Sequence, residues 1–434
     1  MAPRKIIICF DGTGNEIGAT DSNVLKLYTG VRDDSTQLKH YVPGVGTLEG
    51  PRLIDSALVR NLKALAGQAF GRGLENDVLE AYSFLARHYR DGTQTGFPEA
   101  DQIYVFGFSR GAYASRVLLG FLHNFGLLAP ERLHLVTEAF RAYRAVTESK
   151  RDADDAVTFA RLRAYVRVLR PRPNVPIRAI GLFDTVASMI RFPNPIKTLA
   201  DIGSVFELAT HANVVHNPSV RIVLHALAVD EKRSMFRPLP WKPTDYYPNR
   251  FHHAAHKRKQ YVEQRWFPGY HSDIGGSTGQ NAEIGKLTLS WMLDALKQAE
   301  IQADHEDAVC DDVAAPEPSR HLRLNRKFRE DHLVHALPKA DTDANAPWHN
   351  PYALAPIHNS MAAGWLPLEY LILKTRERRH WPRRKCGPLW YLPMQEPRAI
   401  PADHTIDDSV YARQRGHPGY RPVNISPPSR GLTT

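Results

Sequence analysis

The stretch Ile103-Tyr104-Val105-Phe106-Gly107-Phe108-Ser109-Arg110-Gly111-Ala112-Tyr113 decides how this chain is read. Its first residues have the composition of a buried strand, and the segment from Ala112 onward has helical period, so a serine stands where a strand turns into a helix. Glycines at positions 107 and 111 let neighbouring backbone approach such a turn closely. A serine held there can present its hydroxyl, while the helix N-terminus and the amide of Arg110 face the same space. The string alone is short. The strand before it and the helix after it favour this reading over an ordinary capping serine.

Working outward, further strands are expected at residues 5–10, 177–183, 221–229 and 260–267, each a short run of Ile, Val, Leu and aromatics, besides 102–108. Helix-period segments at 74–89 and 112–128 separate some of them widely enough for crossover connections. That alternation predicts an α/β fold with a mostly parallel central sheet flanked by helices. Ligands of such sheets sit outside the carboxyl ends of the strands. The residues there are Asp11, Ser109, Asp184, Asp230 and, slightly further on, His271.

A serine hydroxyl needs a base, and the base needs a carboxylate to orient it. The expected chain order is Ser, then Asp or Glu, then His. Asp184 in Gly181-Leu182-Phe183-Asp184-Thr185-Val186 is the preferred acid, with Asp230 in Ala228-Val229-Asp230-Glu231 as its rival. His271, in Gly269-Tyr270-His271-Ser272-Asp273, is the preferred base, with His358 and His404 as substitutes. The first strand delivers Asp11-Gly12-Thr13-Gly14-Asn15. An amide of Gly12 or Thr13 is expected to join that of Arg110 in an oxyanion hole, with Asp11 fixing the loop and Asp273 supporting the histidine turn. Phosphate-ester chemistry at Asp11 is a weaker reading, because Cys9 stands where an aspartate nucleophile would be needed.

Composition narrows the classes. The chain has 434 residues, 43% hydrophobic and 24% charged, enough to build a substantial core. Lys and Arg total 56 against 46 for Asp and Glu, a net charge of +10 that favours anionic neighbours. Three cysteines are too few and too scattered for a disulfide framework or a zinc site. His252, His253 and His256 have ligand-like spacing, but Lys257, Arg258 and Lys259 beside them would repel a cation; no metal and no cofactor are expected. The basic run 376–385 has no nucleic-acid module around it, so nucleic acid is not expected as a partner. The apolar run at the N-terminus is too short for a signal peptide, and no stretch reaches the roughly 20 residues needed to span a bilayer. The expectation is synthesis as a cytoplasmic protein, with any secretion by a non-Sec route and any membrane contact peripheral.

Residues 1–300 are expected to form the core. Within them 130–176 is a helical insertion, where Phe159, Leu162, Val166 and Leu169 share one face of a basic amphipathic helix that could serve as a lid. Residues 301–434 are expected to pack on the core as an irregular C-terminal wrap, with Asp304, Glu306, Asp307, Asp311, Asp312 and Glu317 in an exposed acidic loop at 303–320.

Six ordered motifs together resemble a known family. They are Phe10-Asp11-Gly12-Thr13-Gly14-Asn15, Tyr41-Val42-Pro43-Gly44-Val45-Gly46-Thr47, Phe106 to Tyr113 around the serine, Phe183-Asp184-Thr185-Val186, Ala226 to Glu231, and Trp266-Phe267-Pro268-Gly269-Tyr270-His271-Ser272-Asp273. The chain is similar to the α/β-hydrolase family, long of unknown function, that includes phospholipase effectors of bacterial type VI secretion. The resemblance implies an α/β-hydrolase-like fold and a serine esterase acting on lipid ester bonds, with Ser109, Asp184 and His271 as its triad. It also implies an immunity or delivery protein as partner. The secreted effectors are usually longer and carry an additional membrane-docking module, where only a compact C-terminal wrap is expected in this chain. A binding protein that keeps the hydrolase fold without turnover is the alternative from another class.

Overall fold

The structure is a computed structural model and describes residues 3–12, 21–44, 67–93, 99–148, 155–173, 175–186, 211, 213–233, 236–247, 257–279, 282–311, 321–334, 351–361, 369 and 395–425. Its strands are β1 (Lys5–Phe10), β2 (Gln37–Val42), β3 (Gln102–Phe108), β4 (Ile177–Phe183), β5 (Val220–Ala228), β6 (Asp245–Tyr246), β7 (Arg258–Lys259), β8 (Tyr261–Phe267) and β9 (Thr405–Ile406). Its helices are α1 (Asn23–Gly30), α2 (Gly67–His88), α3 (Ser109–Phe125), α4 (Val136–Glu148), α5 (Asp155–Leu169), α6 (His271–Gly275), α7 (Glu283–Asp311), α8 (Arg326–His332), α9 (Pro351–Leu354) and α10 (Asp408–Gly416), with a 3-10 turn at Pro130–Leu135.

Seven strands form one sheet in the order β2-β1-β3-β4-β5-β8-β9. Every pairing within it is parallel. Parallel sheets need cover on both faces, and the sequence of β1 supplies it residue by residue. Ile6, Ile8 and Phe10 enter a core shared with α2, α3, α4 and α5, while Ile7 and Cys9 enter the opposite core with α1 and α7. All six residues of β1 and all nine of β5 are buried, so both strands are mostly apolar, and the polar Arg221 and His225 of β5 are buried with the rest.

The amphipathic face of α5 turns into the first of these cores: Leu162 and Leu169 are buried, with Phe159 and Val166 packed beside them, and Arg163, Arg167 and Arg170 are exposed. Residues 303–311, expected within an exposed loop, are instead the last turns of α7. The reason is electrostatic. Arg178 and Arg221, near the starts of β4 and β5, are held by Asp304 and by Glu306 and Asp307 at 2.5, 2.8 and 3.0 Å. Buried guanidinium groups require such partners, so the acidic stretch stays helical and docked. Residues 312–320 lie outside the described residues.

The C-terminal part is tied in at several points. Phe328 of α8 covers Gly30, β9 extends the sheet beside β8, and Val410 and Ile425 pack on Leu227, Val229 and Trp266. Among the described residues no helix is long and apolar enough to cross a membrane.

Candidate active site

The turn between β3 and α3 is tight because its glycines allow it. A Cβ at Gly107 would stand 2.6 Å from the Ala112 Cα, and one at Gly111 would stand 2.4 Å from the carbonyl oxygens of Phe10 and Asp11. The helix therefore begins at Ser109 itself, seated against the end of β1. Ser109 has φ 57°, in the left-handed region that a side chain enters at a cost of about 1–2 kcal/mol. Such strain tends to persist where function depends on it.

His271 opens α6, just past the end of β8, and its Nε2 lies 2.7 Å from the Ser109 Oγ. Its Nδ1 lies 2.6 Å from Asp184 Oδ2. Asp184 follows β4, is fully buried and has φ 42°. The structure thus brings together the three residues expected from the sequence, in a line along the carboxyl ends of β3, β4 and β8. With Nδ1–H donating to Asp184, Nε2 is the nitrogen left to accept the serine proton. Phe108 stacks on the imidazole at 4.8 Å and Phe236 meets it edge-on at 4.9 Å.

Burial draws the His271 imidazole below its ordinary value of 6.5, against the pull of Asp184. The ring is consequently neutral at pH 7. Burial would raise Asp184, but Arg398 and His271 outweigh it and hold the carboxyl well below the usual range. One group is poised to take a proton and the other stays charged.

The remaining expected residues fall into place differently. Asp230 is not on the imidazole; its Oδ2 accepts from the Gly269 amide at 2.7 Å and the Tyr420 hydroxyl at 2.9 Å. Asp273 accepts from the Tyr270 amide at 2.8 Å and from His358 Nδ1 at 2.6 Å, bracing the turn that presents His271. His358 is therefore engaged elsewhere, as is His404, which accepts from Trp266 Nε1 at 2.9 Å. Asp11 receives the Gly12 amide, the Ser22 hydroxyl and the Tyr41 hydroxyl at 2.6, 2.7 and 2.7 Å, so both its oxygens fix the loop.

The Gly12 amide, one of the two first-strand amides expected at the oxyanion, donates to the Asp11 carboxylate at 2.6 Å. Arg110 is the second residue of α3, in the first turn whose N–H groups find no carbonyl within the helix. Thr13 lies outside the described residues, as do His252, His253, His256 and the basic run 376–385.

Two functional neighbours were not anticipated. Glu231, fully buried, accepts from the His271 amide at 3.2 Å and from Arg233 and Ser360 at 2.9 and 3.0 Å. Its position just past the end of β5 was a usable signal. Arg398 donates to both oxygens of Asp184, at 2.6 and 3.0 Å. It sits 214 residues downstream in Glu396-Pro397-Arg398-Ala399, with no motif around it.

The family model described as "T6SS, Phospholipase effector Tle1-like, catalytic domain" matches residues 4–295. An uncharacterized protein of Saccharomyces cerevisiae is 30% identical over 254 residues, covering 57% of this chain and 34% of that protein. Among solved structures, an uncharacterized protein from Pseudomonas aeruginosa aligns with TM-score 0.35 and 18% identity, over 76% of this chain and 49% of its own. The Tle1 effector bound to the VgrG spike of the type 6 secretion system aligns with TM-score 0.31 and 20% identity, over 63% and 51%. The chain thus spans about a third of the yeast relative's length and about half of each solved chain.

Proposed function

The chain belongs to the Tle1-like phospholipase effector family, and from that premise we propose that it is a serine esterase that hydrolyses lipid ester bonds through Ser109, His271 and Asp184. The observation that carries this reading is the continuous hydrogen-bonded line from the Ser109 hydroxyl through both nitrogens of His271 to Asp184, at 2.7 and 2.6 Å.

In the proposed reaction the Ser109 Oγ attacks the ester carbonyl carbon while its proton passes to His271 Nε2. Asp184 holds the Nδ1–H tautomer and stabilises the imidazolium. The amide of Arg110, in the first turn of α3, receives the oxyanion. Collapse of the tetrahedral intermediate expels the alcohol, which takes the proton from His271 and leaves an acyl group on Ser109. Water then gives a proton to His271 and attacks the acyl carbon, and collapse of this second intermediate releases the fatty acid as His271 returns the proton to the Ser109 Oγ. Asp11, with both oxygens engaged in holding its loop, is a scaffold in this scheme and not a phosphate-transfer nucleophile.

The family description also supports delivery through type VI secretion. The chemistry is tested by incubating mixed phospholipids with the wild-type protein and with Ser109→Ala, and following products by mass spectrometry beside labelling with a fluorophosphonate. The wild type should release fatty acid and take up the probe, and the variant should do neither. Equal labelling of the two proteins overturns the nucleophile.

A further inference from the structure

The carboxylate of Asp184 is more heavily engaged than its proposed role requires. Oδ1 accepts from the Ala228 amide at 3.0 Å and from Arg398 Nη1 at 2.6 Å. Oδ2 accepts from His271 Nδ1 at 2.6 Å and from Arg398 Nη2 at 3.0 Å. Arg398 is 4% exposed, and its guanidinium also donates to the carbonyls of Ala228 and Phe236. Its own backbone is anchored: Asn424 donates to the Arg398 carbonyl at 3.1 Å and to that of Val229 at 3.0 Å, and Glu396 pairs with Arg237 at 3.4 Å. A planar fork meeting both oxygens of a carboxylate fixes its rotation as well as its charge.

We propose that Arg398 is a positioning residue of the hydrolase site, delivered by the C-terminal segment, which clamps the Asp184 carboxylate in the rotation that aims Oδ2 at His271 Nδ1. This inference rests on the triad reading above. It extends the site beyond residues 4–295, the span of the family's catalytic domain, because the clamp comes from outside that span. The imidazole faces Ser109 from α3, Asp184 from the end of β4, and Glu231 with Arg233 from the loop after β5; Arg398 acts on it through Asp184. Two effects follow from one side chain. The fork preserves the geometry of the Asp184–His271 bond, and its positive charge opposes protonation of the ring nearby.

The two effects separate in a pair of variants, Arg398→Lys and Arg398→Met, assayed on a short-chain acyl ester across pH with melting curves recorded for each. Arg398→Lys keeps the charge and loses the fork, so kcat should fall roughly tenfold or more with KM little changed and the acid limb of kcat/KM unmoved. Arg398→Met loses both, so kcat should fall and the acid limb should shift to higher pH, since the imidazolium has lost a repelling cation. A merely structural ion pair would lower the melting temperature without changing either readout in the folded fraction. Wild-type kcat in folded Arg398→Lys overturns the positioning role, and if Arg398→Met fails to fold the Lys variant decides alone. Failure of the triad reading is distinguishable, because then wild type and Ser109→Ala would label equally with fluorophosphonate.

Discussion

Asp184 and Asp230 stand just past the ends of neighbouring strands, and their hydrogen bonds give them different tasks. Asp184 faces the imidazole; Asp230 ties the Gly269 amide to the Tyr420 hydroxyl, holding the histidine turn to the C-terminal segment. Asp184→Asn should therefore lower kcat by about 10⁴-fold, the order expected when a triad loses its orienting carboxylate, while Asp230→Asn at matched folding should keep most of its turnover. A larger loss for Asp230→Asn would reverse the assignment. The pH profile has a sign of its own. Because burial draws His271 below 6.5, the ring stays neutral to lower pH than a free histidine, and the acid limb of kcat/KM should fall below 6.5. A limb above that value would show that burial is not the dominant influence on the ring. At this scale Ser109, Asp184 and His271 were legible because each follows an apolar run closely. Arg398 was not, since its partner is distant in sequence and an isolated arginine carries no pattern.

The seating of α3 on β1 depends on one missing methyl group. A Cβ at Gly111 would press on two backbone carbonyls at 2.4 Å, and backbone oxygens inside a sheet cannot swing aside as a side-chain tip can. Gly111→Ala should accordingly destabilise the protein by about 1–3 kcal/mol, the usual range for overpacking, and weaken fluorophosphonate labelling as Ser109 shifts; urea unfolding that matches the wild type would contradict the close seating. Strands buried on both faces could be read from sequence to within a residue, since nothing polar interrupts β1, β3 or β4 at their cores. The edge strand β2 escaped notice because Lys39 and His40 break its run, and Lys39 is needed there to reach the carbonyls of Tyr28 and Val31. The end of α7 was misjudged for the complementary reason. Its acidic residues look solvent-seeking in sequence, and only the fold shows that buried arginines of β4 and β5 lie opposite them.

Across the whole chain the balance of +10 matters for a protein proposed to act at lipid surfaces. Attraction of this kind is screened within about 10 Å at 0.1 M salt and about 3 Å at 1 M. Binding to phosphatidylglycerol vesicles should be measurable at low salt, decline steeply as salt is added, and be much weaker on phosphatidylcholine; equal binding to both would remove charge as the cause. The clamp on Asp184 has a consequence in time as well as in space. Synthesis runs from the N-terminus, so Ser109, Asp184 and His271 leave the ribosome well before Arg398, and β9 is also made after the strand it pairs with. Closing contacts that span 214 residues is intrinsically slow. In refolding from urea, ester hydrolysis should therefore return later than the helical signal, whereas simultaneous recovery would argue against a late closing step. On the proposed reading, hydrolysis would be withheld until the segment that carries Arg398 has docked on Asp184.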